Sequence, residues 1–294
     1  MKTTTSATKK LKGIMDNVIV NYPHSKDIIN AFRPVLLEKT RLVEDLESRK
    51  DAPMSLDEVR FKEGVPFGVQ NSLFFTDDPW EEISLSLIPP IKKGFPALKH
   101  DLERLRGLIK KGSLDLREFV EATPEDSQGL MQKWASDHGI TGQAVTFLTH
   151  IAARVILEKR SKDWAGLIKD FTWDKGYCPI CGSAPLIAKI AEGKGTRWLH
   201  CSKCTHEWIF SRVICPSCES TNQKAMDYFF IEGKEQESTF VCKQCNRYII
   251  TLNKVSDLTD FHGEVSALSL VHLDVLMQEK GYKPMALTEW NILE

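Results

Sequence analysis

The eight cysteines of this 294-residue chain, all between Cys178 and Cys245, are the residues best equipped for chemistry. They fall in four pairs with two residues inside each: Cys178/Cys181, Cys201/Cys204, Cys215/Cys218 and Cys242/Cys245. A gap of 19 residues separates the first pair from the second, and one of 23 the third from the fourth. The arrangement repeats in tandem, since CPICGS (178–183) is echoed by CPSCES (215–220) and LHCSKCTHEWIF by FVCKQCNRYIIT. A C-x2-C turn lets two thiolates face one ion while N–H groups of the turn point at the sulfurs, and a hairpin brings a second turn opposite. Eight cysteines with no remainder predict two closed four-thiolate sites, one from Cys178, Cys181, Cys201 and Cys204, the other from Cys215, Cys218, Cys242 and Cys245. Zinc and iron both suit such a donor set. A closed site holds together a fold with too little apolar core and leaves no position open for a substrate.

A redox dithiol is the competing use of the stretch LHCSKCTHEW (199–208). A thioredoxin-like pair opens a helix, whose N-terminus lowers the thiol pKa, whereas THEWIF after Cys204 reads as a strand. His200 and His206 find no vacancy beside four thiolates. With Arg197, Trp198, Glu207 and Trp208 they read as rim residues of the ribbon, exposed to a partner. Gly182 and Asn246, which follow the first and fourth pairs, tolerate left-handed backbone; Thr205 and Glu219 do so less readily, which predicts less regular second and third turns.

Charge limits the partners. The net charge of -1 removes the bulk attraction behind most nucleic-acid and anionic-membrane binding. Residues 171–255 carry 11 Lys and Arg against 8 Asp and Glu, and two divalent four-thiolate centres would more than cancel that surplus. A nucleic-acid-binding ribbon, with Arg197, Trp198 and Lys203 against the strand, is one alternative, and a rubredoxin-like redox protein is another. The most apolar helical stretch, FLTHIAARVIL (147–157), is interrupted by His150 and Arg154, so no membrane insertion is expected. A cytoplasmic, reducing setting follows as the expectation, and it favours metal ligation over disulfides.

The elements that must position these cysteines divide at about residue 170. Before it the punctuation is helical. The basic N-terminus reads as a solvated tail; an amphipathic helix or two follows Ser25, with Pro34 as a kink or restart. Prolines and glycines across 53–95 predict loops with short helices. Helices are expected from Pro96 to Gly112, after a Thr123-Pro124 cap, and from Thr141 to Arg160. Beyond Asp174 come strand-like runs, LIAKI, TRWLH, EWIFSRVI, DYFFIE, STFV and RYIITL, each beside a cysteine pair. A last helix spans Gly263 to Lys280. The class is α+β: a helical domain (1–170), two tandem rubredoxin-like or zinc-ribbon β modules (171–212 and 213–256), and a C-terminal helix and tail (257–294). No catalytic constellation stands out, Asp77-Asp78 and Glu81-Glu82 reading as solvated charge, so a non-enzyme is expected. Nothing in the sequence sets an oligomeric state.

CPICGSAP (178–185), RWLHCSKCTHEW (197–208), the arginine-bearing run into CPSC (212–218), the pair Cys242/Cys245 and MQEKGYKP (277–284) together resemble the formate dehydrogenase accessory protein FdhE family. The resemblance covers roughly residues 175–285. It implies a cytoplasmic, non-catalytic protein with a helical domain and two rubredoxin-like ribbons. It also implies a role in assembling active formate dehydrogenase, through contact with that enzyme's molybdenum- or tungsten-containing catalytic subunit. The tail Leu287–Leu293 departs from the Asn-Pro-Phe pattern of relatives.

Overall fold

The computed structural model describes residues 5–121, 124–255 and 261–291. It forms two compact units, neither a single run of sequence. One comprises Met1–Met15, Lys26–Glu47 and Phe74–Lys159; the other comprises Asp16–Ser25, Ser48–Leu73 and Arg160–Glu294. Helices α1 (Ser6–Asn21) and α9 (Gly142–Ile168) contribute residues to both.

The first unit is helical. It contains α2 (Lys26–Asp45) and, after the short α3 (Glu58–Lys62) and α4 (Phe67–Gln70) of the second unit, α5 (Trp80–Gly94), α6 (Lys99–Lys110), α7 (Arg117–Glu121) and α8 (Pro124–Asp137). Its core follows the three-and-four spacing of apolar residues: Ile29, Phe32, Leu36 and Val43 on α2 are buried, as are Ile83, Leu87 and Ile91 on α5. Phe32, Phe95 and Phe147 meet edge to face, with centroids 4.8 to 5.9 Å apart. The backbones of α2 and α5 touch where a Cβ on Gly94 would lie 1.9 Å from the Ala31 carbonyl oxygen.

Three expectations are corrected here. The basic N-terminus is helical from Ser6, because Leu11 and Met15, four apart, are buried and Thr5 Oγ1 accepts the Thr8 N–H at 3.2 Å. The proline-rich 53–95 stretch ends in a 15-residue helix that passes through Pro89 and Pro90. Each proline removes a donor to the carbonyl four residues back, yet burial of Ile83, Leu87, Ile88 and Ile91 on one face keeps α5 continuous. Likewise α2 runs through Pro34 without restarting. The helix begun at Gly142 continues past Arg160 to Ile168, where Trp164 is buried and donates from Nε1 to the Arg49 carbonyl at 3.0 Å. The Thr123 cap lies outside the described residues.

The second unit holds the sheet. Strands β1 (Pro185–Ala191), β2 (Arg197–Cys201) and β3 (Glu207–Ile209) form one antiparallel meander; β4 (Met226–Ile231), β5 (Lys234–Cys242) and β6 (Arg247–Val255) form another. The two modules are fused: β1 pairs in parallel with β6, Ile187 opposite Ile250, giving the order β3-β2-β1-β6-β5-β4. Strand β1 is therefore central, and residues 186–190 are all buried, as an unbroken apolar run predicts. The exception in that run, Lys189, reaches Glu207 Oε2 at 2.7 Å and lies 4.2 Å from the Phe261 ring centroid. Strand β3 is shorter than EWIFSRVI suggests, because the chain turns away where the Arg197 guanidinium takes the carbonyls of Ser211 and Ile214.

The C-terminal helix is two: α10 (Gly263–Ser269) and α11 (Val271–Glu279), broken at buried Leu270, whose φ and ψ of -109° and 17° leave the helical region. Strand β7 (Lys283–Pro284) then adds in parallel to β6 beside Arg247 and Tyr248. Beneath it Tyr248 donates to Asp274 Oδ1 at 2.7 Å. Burial raises the Asp274 carboxyl to about 6, against hydrogen bonds from Tyr248 and Asn291. Its unfolded value is about 3.9, so the folded chain holds this proton more tightly. The resulting stability is complete below pH 4 and is lost as pH rises through 6. Asp274→Asn removes the dependence: relative to the native chain it is expected to gain about 1 kcal/mol between pH 5 and pH 7.5. Paired denaturant titrations across that range check this. His272, pushed down to about 4 by burial, works with the opposite sign and cancels in the comparison.

Candidate metal centres

Two cysteine clusters form at the ends of the meanders. The Sγ atoms of Cys178, Cys181, Cys201 and Cys204 all lie within 4.8 Å of one another, as do those of Cys215, Cys218, Cys242 and Cys245. In the first, Cys178–Cys204 and Cys181–Cys201 are 3.5 and 3.4 Å apart; in the second, Cys215–Cys245 and Cys218–Cys242 are both 3.8 Å apart. A tetrahedron with metal–sulfur arms of 2.3 Å has edges of about 3.8 Å. The donor set and spacing thus fit a zinc or iron ion in each cluster, and all eight cysteines are free of disulfides.

The four turns are alike. Each second cysteine is followed by a left-handed residue: Gly182 (φ 74°), Thr205 (60°), Glu219 (55°) and Asn246 (57°). The expectation that Thr205 and Glu219 would give irregular turns is corrected, since sulfur placement overrides residue preference. In the first three turns the leading cysteine N–H donates to the carbonyl five residues on, at Ser183, His206 and Ser220, over 2.9 to 3.0 Å. Turn amides also donate to sulfur: Lys203 N and Cys204 N to Cys201 Sγ at 3.4 and 3.5 Å, and Ser217 N to Cys215 Sγ at 3.4 Å. Holding threonine left-handed costs roughly 1–2 kcal/mol, part of which glycine returns as unfolded-chain entropy. Thr205→Gly is expected to stabilise the chain by about 0.5–1 kcal/mol. A rise in the thermal midpoint at fixed metal loading is the readout.

The thiols cannot ionise together without a cation. Burial pushes Cys178 and Cys204 up, while hydrogen bonds from Cys178, Cys201 and Cys204 pull Cys181 well down. The second cluster is more open, with Cys218 exposed. There burial raises Cys215 and Cys245; it opposes ionisation of Cys242 too, but the amides of Cys245 and Gln244 hold Cys242 below its ordinary value.

The six residues expected at an exposed rim divide. Arg197, His200 and Trp208 are buried, at 1%, 7% and 4% exposure, which corrects the reading of them as surface groups. Arg197 bonds to carbonyls as described, and Trp208 Nε1 donates to the Lys175 carbonyl at 3.1 Å. The His200 ring packs on α10, where a Cβ on Gly263 would lie 2.3 Å from Nε2. Trp198, His206 and Glu207 are half-buried. Burial drives His206 down to about 4. Burial also opposes the Glu207 carboxylate, but hydrogen bonds from His200 and Lys189 hold it below the usual range.

Comparison with known proteins now adds to the geometry. Residues 177–212, the first cluster and its strands, match the family model "FdhE, central domain". An FdhE homolog from Aquifex aeolicus is 27% identical, over 89% of this chain and 87% of its own length. One from Glaesserella parasuis is 32% identical over 71% of this chain and 64% of its own length. Along nearly its whole length the chain is similar to the FdhE family. The crystal structure of the FdhE protein from Pseudomonas aeruginosa shares the fold, with TM-score 0.60 and 18% identity over 96% of this chain and 94% of that one.

Residues that sequence reading passed over clasp the turns of this chain. At the first turn the N–H groups of Phe67 and Gly68 donate to the carbonyls of Pro179 and Ile180 at 2.8 and 2.7 Å, and Tyr177 donates from its hydroxyl to the Gly64 carbonyl at 2.7 Å. At the fourth, Asn246 Nδ2 donates to the Gly281 carbonyl at 2.7 Å and Lys283 N to the Asn246 carbonyl at 2.9 Å. The recurring glycines, Gly64, Gly68 and Gly281, were the available signal; their partners lie too far away in sequence to be read.

Proposed function

We propose that this chain is a cytoplasmic, non-catalytic accessory protein in the maturation of formate dehydrogenase, and that it binds the molybdenum- or tungsten-containing catalytic subunit of that enzyme. The carrying observation is its FdhE similarity, which extends across nearly the whole chain rather than one cysteine motif. On this reading each four-cysteine cluster holds one zinc or iron ion, with all eight cysteines as ligands. The ion's chemistry is structural: it lets four buried thiolates coexist and cross-links two turns. A filled four-thiolate shell has no coordination position for a substrate, which favours recognition over catalysis. Of the residues first considered for partner contact, Trp198, His206 and Glu207 keep solvent exposure and are the proposed contacts. Among the described residues no helix is long and apolar enough to cross a membrane, which accords with this role.

The test is anaerobic affinity purification of the tagged full chain from its native host, with identification of co-purifying proteins. A deletion strain is assayed for formate dehydrogenase activity in parallel. Recovery of the catalytic subunit, reduced by Trp198→Ala, together with lost activity in the deletion strain, is the expected result. No such recovery, with activity intact in the deletion strain, would sink the reading.

A further inference from the structure

We propose that the two four-cysteine sites take up metal cooperatively, because Arg197 and Gly176 tie two segments that lead into the first site to the cysteine turn that opens the second. The inference rests on the reading that both clusters bind metal, and it goes beyond that reading by making the sites interdependent.

Strand β2 carries the first contact. Its last residue, Cys201, belongs to the first cluster, and its first residue, Arg197, reaches across to the second. Arg197 Nη2 donates to the carbonyl of Ile214, the residue just before Cys215, at 2.7 Å, and also to the Ser211 carbonyl. The guanidinium lies between the rings of Phe210 and Phe240, with Cζ 5.1 and 5.5 Å from their centroids. Its Nε and Nη1 are buried without a well-aligned acceptor, and the Tyr228 hydroxyl is the polar side chain that supports the guanidinium there. A buried cation with unfilled donors is unfavourable unless negative charge lies close by. A divalent ion held by four thiolates leaves the centre at about -2, and Cys215, one of those four, is among the groups whose negative charge favours the Arg197 cation. Filling the second site therefore stabilises Arg197 where it stands, and with it the strand that ends in Cys201.

Gly176 makes a second contact with the same turn. It lies two residues before Cys178, and a Cβ there would come within 1.9 Å of the carbonyl oxygen of Pro216, inside the third turn. Its N–H donates to Glu219 Oε1 at 3.3 Å, and Glu219 is the left-handed residue of that same turn. The approach to the first cluster is thus packed against a turn whose shape depends on the second. The parallel pairing of β1 with β6 joins the strand after the first turn to the strand after the fourth.

Coupling between binding sites typically amounts to a factor of about 5 to 150, and it is reciprocal. The full-length chain, prepared metal-free under anaerobic, reducing conditions, is titrated with cobalt(II) against a competing chelator; the cobalt–thiolate absorption reports each ion. The intact chain is expected to bind two ions in a steep, cooperative transition. Cys245→Ser should weaken binding at the first site, and Cys204→Ser binding at the second, by the same factor of at least about five. Arg197→Met in the eight-cysteine chain should make the two-ion titration less steep, whereas Arg212→Ala, at an exposed arginine, should not. Single-site affinities unchanged by loss of the other site, or a non-cooperative titration of the intact chain, overturn the proposal. The intact-chain titration stands on its own should a cysteine variant fail to fold. Fewer than two ions per intact chain would instead overturn the metal reading, and stoichiometry distinguishes that result from lost coupling.

Discussion

Chelation of the metal-loaded chain under reducing conditions is expected to melt the seven-stranded sheet while leaving the first helical unit folded. Structural four-ligand zinc sites contribute on the order of 10 kcal/mol of apparent folding free energy each, comparable to the whole stability of a domain. The second unit is built around its two clusters, whereas the first has a core of its own in Phe32, Leu36, Ile83, Leu87, Leu105 and Leu148. Hydrogen exchange resolves the two. Amides of β1, β5 and β6 should lose protection after chelator is added, while those of α2 and α5 keep theirs. Retained protection in the sheet after complete metal removal would mean that apolar packing alone holds it.

The second large effect is expected at a residue that ligates nothing. Gly176→Ala places a methyl group within 1.9 Å of an oxygen and 2.5 Å of a carbon, both in the Pro216 backbone, so no side-chain rotation relieves the clash. Separating the two segments breaks the Gly176–Glu219 hydrogen bond and displaces the third turn. A loss of about 3–5 kcal/mol is expected, in the range reserved for strained or overpacked cores. Denaturant unfolding of the metal-loaded variant measures it. Ser217→Ala serves as the control: it alters a side chain in the same turn and leaves that turn's backbone contacts in place.

The two four-cysteine clusters were legible because their information is local. A C-x2-C turn is a four-residue statement, and two matched pair-gap-pair units leave only one economical grouping of eight cysteines. Strand and helix types were legible from period, as in LIAKI and in Leu102, Leu105 and Ile109. What escaped depended on distant partners. Arg197 reads as a surface cation until its acceptors, the carbonyls of Ser211 and Ile214, are seen to lie beneath the strand. Pro89 and Pro90 read as helix breakers because local propensity omits the buried face that holds α5 together. Thr205 and Glu219 read as poor left-handed residues, and are; the four-sulfur geometry imposes the conformation regardless. The fusion of the two ribbons had no local signal, since parallel pairing joins residues separated by an entire ribbon.

That parallel join has a consequence for synthesis. Ile187 on β1 pairs with Ile250 on β6, a partner 63 residues further along the chain. At roughly 5–20 residues per second, the ribosome takes on the order of 3 to 13 s to supply it. Throughout that interval the apolar edge of β1 is an open template for strand pairing with any neighbouring chain. The first cluster is complete once Cys204 has emerged, 46 residues before Ile250, so its metal can fix β1 against β2 while the other edge waits. On the proposed metal-binding reading, metal supply during translation governs yield as well as final stability: metal-starved cells are expected to lose nascent chains to aggregation at β1 before mature protein is made.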